Sequence, residues 1–394
     1  MSEPAAPAAD LLIVGAGPAG LALACALHDQ GWRPRVLEQQ PEAALAQPAG
    51  DGREIALTHR ARRILEGLGL WQRVCEQGEP VPLRAASVRS AGSPRVLPFA
   101  SPAHEALGWL VPNQRLRAAA WAGARARGIA IETGVAVQGL QRDEQAATLQ
   151  LADGRQLRAP LVVAADSRFS SLRRLAGIPA RSLDFGRSAL LCPLTHEAEH
   201  QGVAQECFLA GHTLALLPMA GRQSSAVWTV RSDAVPALLS LSEVEFAARV
   251  EQACEGRLGP MQVAGARQVY PLVAVYAERF AAHRFALAGD AAVGMHPVTA
   301  HGYNFGLYGI ETLAQELGAL RRAGGRDPGD AVALQRYART HQRATRFIFE
   351  GTNAIVRLFT DERPPAMLLR RAVLDLATAL PPLRWAITRQ LTGG

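Results

Sequence analysis

The residues best placed to do chemistry stand near the N-terminus, in Gly15-x-Gly17-x-x-Gly20. Before them, Leu11-Leu12-Ile13-Val14 reads as a strand buried on both faces; after them, Leu21 to Gln30 reads as a helix. In that setting the first glycine allows a tight turn, and the second lets a pyrophosphate approach the backbone. The third, beyond Ala19 in the same turn, lets helix and strand pack closely. Helix N–H groups then point at the phosphates. A second strand, Arg35-Val36-Leu37, ends on Glu38, where a carboxylate can accept from both ribose hydroxyls. Strand, turn, helix and terminal acid together predict dinucleotide binding. The competing reading is a glycine-rich turn without ligand, because GxGxxG alone arises by chance in a Gly/Ala-rich chain.

That pattern does not choose between FAD and NAD. A later segment bears on the choice: Phe285-Ala286-Leu287-Ala288 reads as a buried strand with Gly289-Asp290 at its carboxyl end, followed by small residues. An acid there can hold a polyol such as the ribitol of FAD, while the following helix N-terminus faces phosphate or the flavin ring. The alternative for Asp290 is an N-capping aspartate, a role that leaves ligand contact open. The chain carries no metal-ligand cluster, no Ser/His/Asp triad signal and no cysteine-nucleophile motif, so no metal is expected. It also contains no lysine. All 42 residues counted as Lys+Arg are arginine, which excludes Schiff-base and Walker-type lysine chemistry.

These residues need a scaffold to hold them. A chain of 394 residues suggests two domains, or one large fold with an elaboration. Its 48% apolar and 20% charged residues are those of a globular protein. The balance is basic, at +7, but aromatic residues make up only 6% and no helix-turn-helix, RNA-binding or zinc-finger pattern accompanies the charge. No nucleic-acid partner is expected. Five scattered cysteines suit a reducing compartment. No signal-peptide pattern and no apolar run of membrane-spanning length occur, so the chain reads as cytoplasmic.

Residues 41–52 read as a loop, with helical patterns at 60–68 and 116–127 and a buried strand at 161–166. From about 184 to 275 the chain reads mostly as strands around one amphipathic helix at 244–255, and from Asn304 onward it is largely helical. The expected class is α/β, α+β overall: a Rossmann-like FAD-binding domain, an inserted β-sheet substrate domain and a C-terminal helical region. The boundaries place 1–78, 103–178 and 279–360 in the first, 79–102 and 179–278 in the second, and 361–394 in a tail. The inserted sheet would wall a ligand pocket at the domain interface; Phe208, Leu216, Leu217, Pro218, Met219 and Trp228 are candidates for that wall, or for plain core.

Over nearly its whole length the sequence resembles the flavoprotein aromatic monooxygenases of the para-hydroxybenzoate hydroxylase type. It is most similar to the branch acting in ubiquinone biosynthesis, and within it to demethoxyubiquinol hydroxylases. The matching stretches are 10–39, Arg53 to Leu57 with Leu68 to Trp71, Val111 to Gln114, Ala165 to Arg173, Leu214 to Pro218 with Trp228, Tyr270 to Leu272, and Gly289 to Gly309. The most specific block is His296 to Gly306. The resemblance implies that Gly15, Gly17, Gly20 and Glu38 hold the ADP half of FAD. It sets Arg53 and Asn113 near the pyrophosphate and ribityl chain, and Asp290 at the ribitol. The stretch through Pro297, Ala300, His301, Gly302 and Asn304 would then pass beside the isoalloxazine.

The departures matter as much. Asp166 is followed by Ser167 where relatives have glycine, Val293 stands where histidine is common, and His301 stands where most relatives carry an amide. His301 either polarises the flavin or accepts a phenolic proton, as the catalytic candidate, or is a packing histidine. The resemblance implies ring hydroxylation of a hydrophobic phenol or quinol with O₂ through a flavin C4a-hydroperoxide, in a water-excluding pocket. The reductant would be NAD(P)H or another electron donor, bound without a nucleotide domain of its own. Two alternatives stand beside this one: a hydroxylase of a soluble phenolic or heteroaromatic acid, and a non-catalytic FAD-binding assembly subunit of a biosynthetic complex. The tail mixes arginine with apolar residues at Met367 to Leu376 and Leu383 to Ile387. That composition suits a helix on the inner face of a membrane, or one docked on this protein or on other ubiquinone-biosynthesis proteins.

Overall fold

The computed structural model describes residues 9–90, 96–100, 106–209, 211–296 and 302–360. The run Leu11–Val14 lies in the middle of a six-stranded sheet ordered Ala281–Ala282, Phe285–Leu287, Leu161–Ala164, Leu11–Val14, Pro34–Leu37, Ala130–Glu132. All but the short edge strand Ala281–Ala282 run parallel. A parallel sheet covered on both faces needs uninterrupted apolar strands; Leu11, Leu12, Ile13, Val162 and Val163 are at most 2% exposed. Because the strands are parallel and in register, Val14 lies beside both Leu37 and Ala164. The turns that follow them therefore open on one carboxyl edge, the ligand edge of such sheets. The class is α/β with a second sheet, as the sequence reading expects.

The second sheet is antiparallel over most of its width. Its order is Val293–Gly294, Gln268–Ala277, Ala180–His196, Gln223–Arg231, His212–Pro218, Val203–Leu209, Ala85–Ser90, Val96–Ala100, with Met261–Val263 pairing beside the end of Ala180–His196. The long strand Ala180–His196 carries an irregularity between Asp184 and Ser188, which re-aims it between its two neighbours. One face of this sheet packs Leu190, Cys192, Leu194, Leu214, Leu216 and Trp228 against Phe246 and Val250 of the helix Glu243–Ala253. That helix starts on a reciprocal capping box between Ser242 and Glu245. The 41–52 stretch differs from expectation: it contains a short helix, Glu42–Ala46, pinned by the buried Leu45.

Helices Gly302–Arg322 and Ala331–Thr360 pack on each other and close the layer beside the six-stranded sheet. Where they cross, a Cβ on Gly309 would come within 2.6 Å of Nε2 of His341, so glycine at that position makes room for the ring. His341 is 1% exposed, stacks on Tyr337 at 5.9 Å and lies 5.3 Å from the Phe280 ring. Burial pushes its pKa down to about 3, against about 6.5 for an unfolded histidine. The folded protein thus binds fewer protons than the unfolded chain between those values. Stability is fully present above pH 6.5 and falls as the pH drops toward 3, by about 1.4 kcal/mol per pH unit for this one group. Thermal midpoints taken from pH 7 to pH 4 should show that acid limb, and His341→Phe should make it shallower. An equally steep limb in the variant would remove His341 as its source.

Candidate functional site

The glycine-rich turn is built by exclusion. Gly15 sits at φ +111°, and a Cβ there would overlap the Ala165 carbonyl and lie 2.9 Å from Asp166 Cα. A Cβ on Gly20 would overlap the Gly15 carbonyl oxygen and stand 3.3 Å from Ala165 Cβ. These two glycines lock the first strand, the helix Pro18–Asp29 and the 161–166 segment together. Gly17 is different: among the described residues nothing lies within 4 Å of where its Cβ would be. It is the N-cap residue of Pro18–Asp29, and no side chain caps that end among the described residues. The first N–H groups of the helix therefore face an open cradle suited to an anion.

Glu38 is held beside this cradle. Its carboxylate accepts from the Ala16 N–H at 2.7 Å and from the Gln40 N–H at 2.9 Å, which orients it along the turn. From the other side of the sheet comes the turn Gly289–Ala291. Gly289 has φ +59° and faces Ala19, whose Cβ would be 3.1 Å from a Cβ there. The Asp290 carboxylate meets Arg168 Nη2 at 3.1 Å rather than a helix N-terminus. Arg168 also donates to the Val273 carbonyl, and buried Arg173 donates to the carbonyls of Arg168 and Ala291. Those two arginines tie the Asp166 turn to the Asp290 turn. Oδ2 of Asp166 takes only long bonds from the Leu172 N–H and Ser171 Oγ, and its buried Oδ1 has no partner among the described residues.

A second group assembles from three distant segments. Arg53 grips Asp51 through Nε and Nη2 at 2.9 and 2.6 Å, and Asn113 Nδ2 donates to the same carboxylate oxygen at 2.7 Å. Tyr270 donates its hydroxyl to the Asp51 carbonyl at 2.7 Å, and its ring lies 5.4 Å from the Arg53 guanidinium. Burial raises the Asp51 carboxyl, but the hydrogen bonds and charge of Arg53 and the Asn113 amide outweigh it, leaving the pKa below the ordinary carboxylate value. The structure brings Arg53 and Asn113 together on Asp51, with the Asn113 N–H donating to the Arg53 carbonyl at 2.9 Å; the sequence does not single out Asp51, Tyr270 or Arg168. Asp51 lies in a Gly/Pro-rich stretch with no periodicity to mark it.

Asn304 is 1% exposed; Oδ1 accepts from the Thr58 N–H and Nδ2 donates to the Ala56 carbonyl. It thereby holds the strand Glu54–Leu57, and with it Arg53, against the helix Gly302–Arg322. His296 is buried edge-on to Phe185 at 4.8 Å. Burial, helped by the Arg168 charge, pushes its pKa down to about 4, so the ring is neutral near pH 7. Val293 is fully buried in the apolar core, and Ser167 accepts from the Phe169 N–H. Gly302 opens its helix, and among the described residues no atom lies within 4 Å of its Cβ position. Pro297, Ala300 and His301 lie outside the described residues, as does the tail 361–394. Among the wall candidates, alternation turns Leu216 and Trp228 into the core against Glu243–Ala253, whereas Phe208 and Leu217 project from the opposite face.

Comparison with known proteins agrees with the cradle. A family described as "FAD binding domain" matches residues 8–346. The chain belongs to that family. Within it, this FAD-binding protein is 40% identical to a ubiquinone hydroxylase, UbiM, of Neisseria meningitidis, over 98% of this chain and 84% of the relative. It is 39% identical to the ubiquinone hydroxylase UbiL of Rhodospirillum rubrum, over 98% and 90%. It also matches the mitochondrial ubiquinone biosynthesis monooxygenase COQ6 of mouse at 26% identity, over 95% and 89%. Its fold is that of the p-nitrophenol 4-monooxygenase PnpA of Pseudomonas putida, with TM-score 0.77, 18% identity and 98% of each chain covered. No helix among the described residues is long and apolar enough to cross a membrane.

Proposed function

We propose that this protein is an FAD-dependent monooxygenase that hydroxylates the aromatic ring of a quinol or phenol precursor in ubiquinone biosynthesis. The observation that carries this reading is identity of 40% and 39%, along almost the whole chain, to two ubiquinone hydroxylases, joined to a cradle whose open space sits at Gly17. The residues present fit FAD. The N–H groups at the start of Pro18–Asp29 and the Arg53 guanidinium would take the pyrophosphate, and Glu38 the adenosine ribose. Asp290 would take the ribitol, with Asn113 and Asp166 close to the same chain.

When bound and reduced, the flavin supplies activation of O₂ for attack on an electron-rich ring. The protein's part is to bind, orient and keep water out. Asn304 and Arg173 position the loops that carry Arg53 and Asp290. His296, neutral and buried against Phe185, adds no charge there. In the segment itself, His301 is the residue we assign to polarise the flavin or receive a phenolic proton, and Pro297, Ala300 and Gly302 are assigned to the ring's edge. The electron donor would be NAD(P)H or another reductant, and contact with a membrane surface or partner proteins would run through the tail.

The test supplies FAD-loaded protein with a reductant, a prenylated phenol and ¹⁸O₂. The expected product carries one ¹⁸O atom on the ring, and a deletion strain should accumulate a quinone precursor lacking a ring oxygen. FAD-loaded protein that oxygenates no ring compound with any donor, together with an unchanged quinone profile, would favour the assembly-subunit role.

A further inference from the structure

One carboxyl group on the large sheet has no use in the roles above. Glu206 lies in the strand Val203–Leu209. The ladder sets it opposite Ala215, Ala215 opposite Val227, Val227 opposite Leu191 and Leu191 opposite Gln268. On its other side it pairs with Val88, and Val88 with Leu97. Paired residues project from the same face of a sheet. Leu191 and Gln268 are the side chains that pack on Gly52, next to Arg53. Glu206 therefore stands on the wall turned toward the flavin side, in a row of Leu, Val and Ala that ends in Gln268. Its neighbour Cys207 points the other way, into the core beneath Glu243–Ala253.

A partly buried acid in an apolar row is costly unless it is neutral or paired. Burial raises its pKa, the nearby Cys207 adds to the shift and the Thr213 hydroxyl bond opposes it; the net value is about 8, so the group is protonated near pH 7. A neutral carboxyl offers one O–H to donate and a carbonyl oxygen to accept, and Thr213 occupies part of the accepting side.

We propose that Glu206 is a specificity-determining residue, whose carboxyl group hydrogen-bonds an oxygen substituent on the ring of the aromatic substrate and orients that ring between the sheet and the FAD domain. The assignment rests on the ring-hydroxylase reading and narrows it to phenols and quinols. A ring bearing a carboxylate is disfavoured at this position, because burial there already opposes a negative charge. Two cations stand on the same face: Arg187 is 7% exposed and donates to the Gly211 carbonyl at 2.6 Å, and its ladder partner Arg231 is held by Asp233 at 2.6 Å.

The test compares two probes on FAD-loaded protein, a prenylated phenol and the same prenylated benzene without its hydroxyl, by quenching of flavin fluorescence. The wild-type protein should prefer the phenol by about tenfold, the size of one buried hydrogen bond. In Glu206→Leu, with FAD content unchanged, the preference should fall to near unity, and Glu206→Gln should restore most of it. Leucine continues the apolar row, and Glu206→Ala serves as a second removal should leucine overfill it. Equal affinity of the wild-type protein for both probes, or an undiminished preference in the leucine and alanine variants, overturns the assignment. Failure of the hydroxylase reading shows separately, as a wild-type protein that oxygenates no ring whatever stands at position 206.

Discussion

Gly20→Ala is expected to destabilise the protein and strip it of FAD, although it adds a better helix former to a helix. Propensity alone favours alanine there by about 1 kcal/mol. The new methyl, however, would overlap the Gly15 carbonyl oxygen and press on Ala165 Cβ at 3.3 Å. Both neighbours are held by the sheet, since Gly15 N–H donates to Leu37 O and Ala165 N–H to Val14 O. No side-chain rotation relieves a clash with backbone, so the helix must shift off the strand. Overpacking of that kind costs about 1–3 kcal/mol or more, which reverses the propensity gain. Gly17→Ala is the contrast. Its backbone is extended, at φ −67° and ψ 173°, and its Cβ would meet no atom of the described residues within 4 Å. The apo melting temperature should hold while FAD affinity falls, because the methyl enters the space left for the ligand. If both variants melt alike without FAD and bind FAD alike, the division of labour among the glycines is wrong.

Asp290→Ala is expected to release the yellow cofactor. A hydrogen bond from a sugar hydroxyl to a carboxylate contributes about 1.5–3 kcal/mol, so the FAD dissociation constant should rise about 10- to 100-fold. Arg168 loses its carboxylate partner in the same step, but it retains the Val273 carbonyl and is partly solvated. The fold should survive. Asp290→Asn should keep part of the affinity, since an amide oxygen still accepts. Gel filtration in dilute buffer followed by the flavin absorbance ratio measures both. Stoichiometric FAD in the alanine variant would exclude Asp290 from the cofactor site.

Much of the scaffold around these residues is legible in the chain because it is local. A four-residue apolar run followed by GxGxxG and a helix is a short-range pattern, and the structure has Leu11–Val14, the turn and Pro18–Asp29 in that order. The acid at the end of the second strand and the Gly-Asp after Phe285–Leu287 are likewise readable, since parallel strands bring their carboxyl ends to one edge. The helix at 244–255 is announced by its amphipathic period, and it runs Glu243–Ala253. The short helix Glu42–Ala46 is missed because five residues rich in alanine carry no period to detect.

What the sequence by itself determined is therefore the nucleotide cradle, the two-sheet class and the family resemblance, all of which rest on neighbours in the chain. The tertiary structure alone decided which separated residues share a site. Asp51, Asn113 and Tyr270 meet only because the strand Glu54–Leu57 pairs with Gly108–Pro112 while the loop before it packs under the large sheet. It also decided which face of that sheet looks at the flavin side. A period of two tells that Trp228 and Val227 point oppositely, as Cys207 and Glu206 do, but not which of each pair meets a helix and which meets a ligand wall. That choice belongs to strand register and layer packing, which are contacts between residues far apart in the chain.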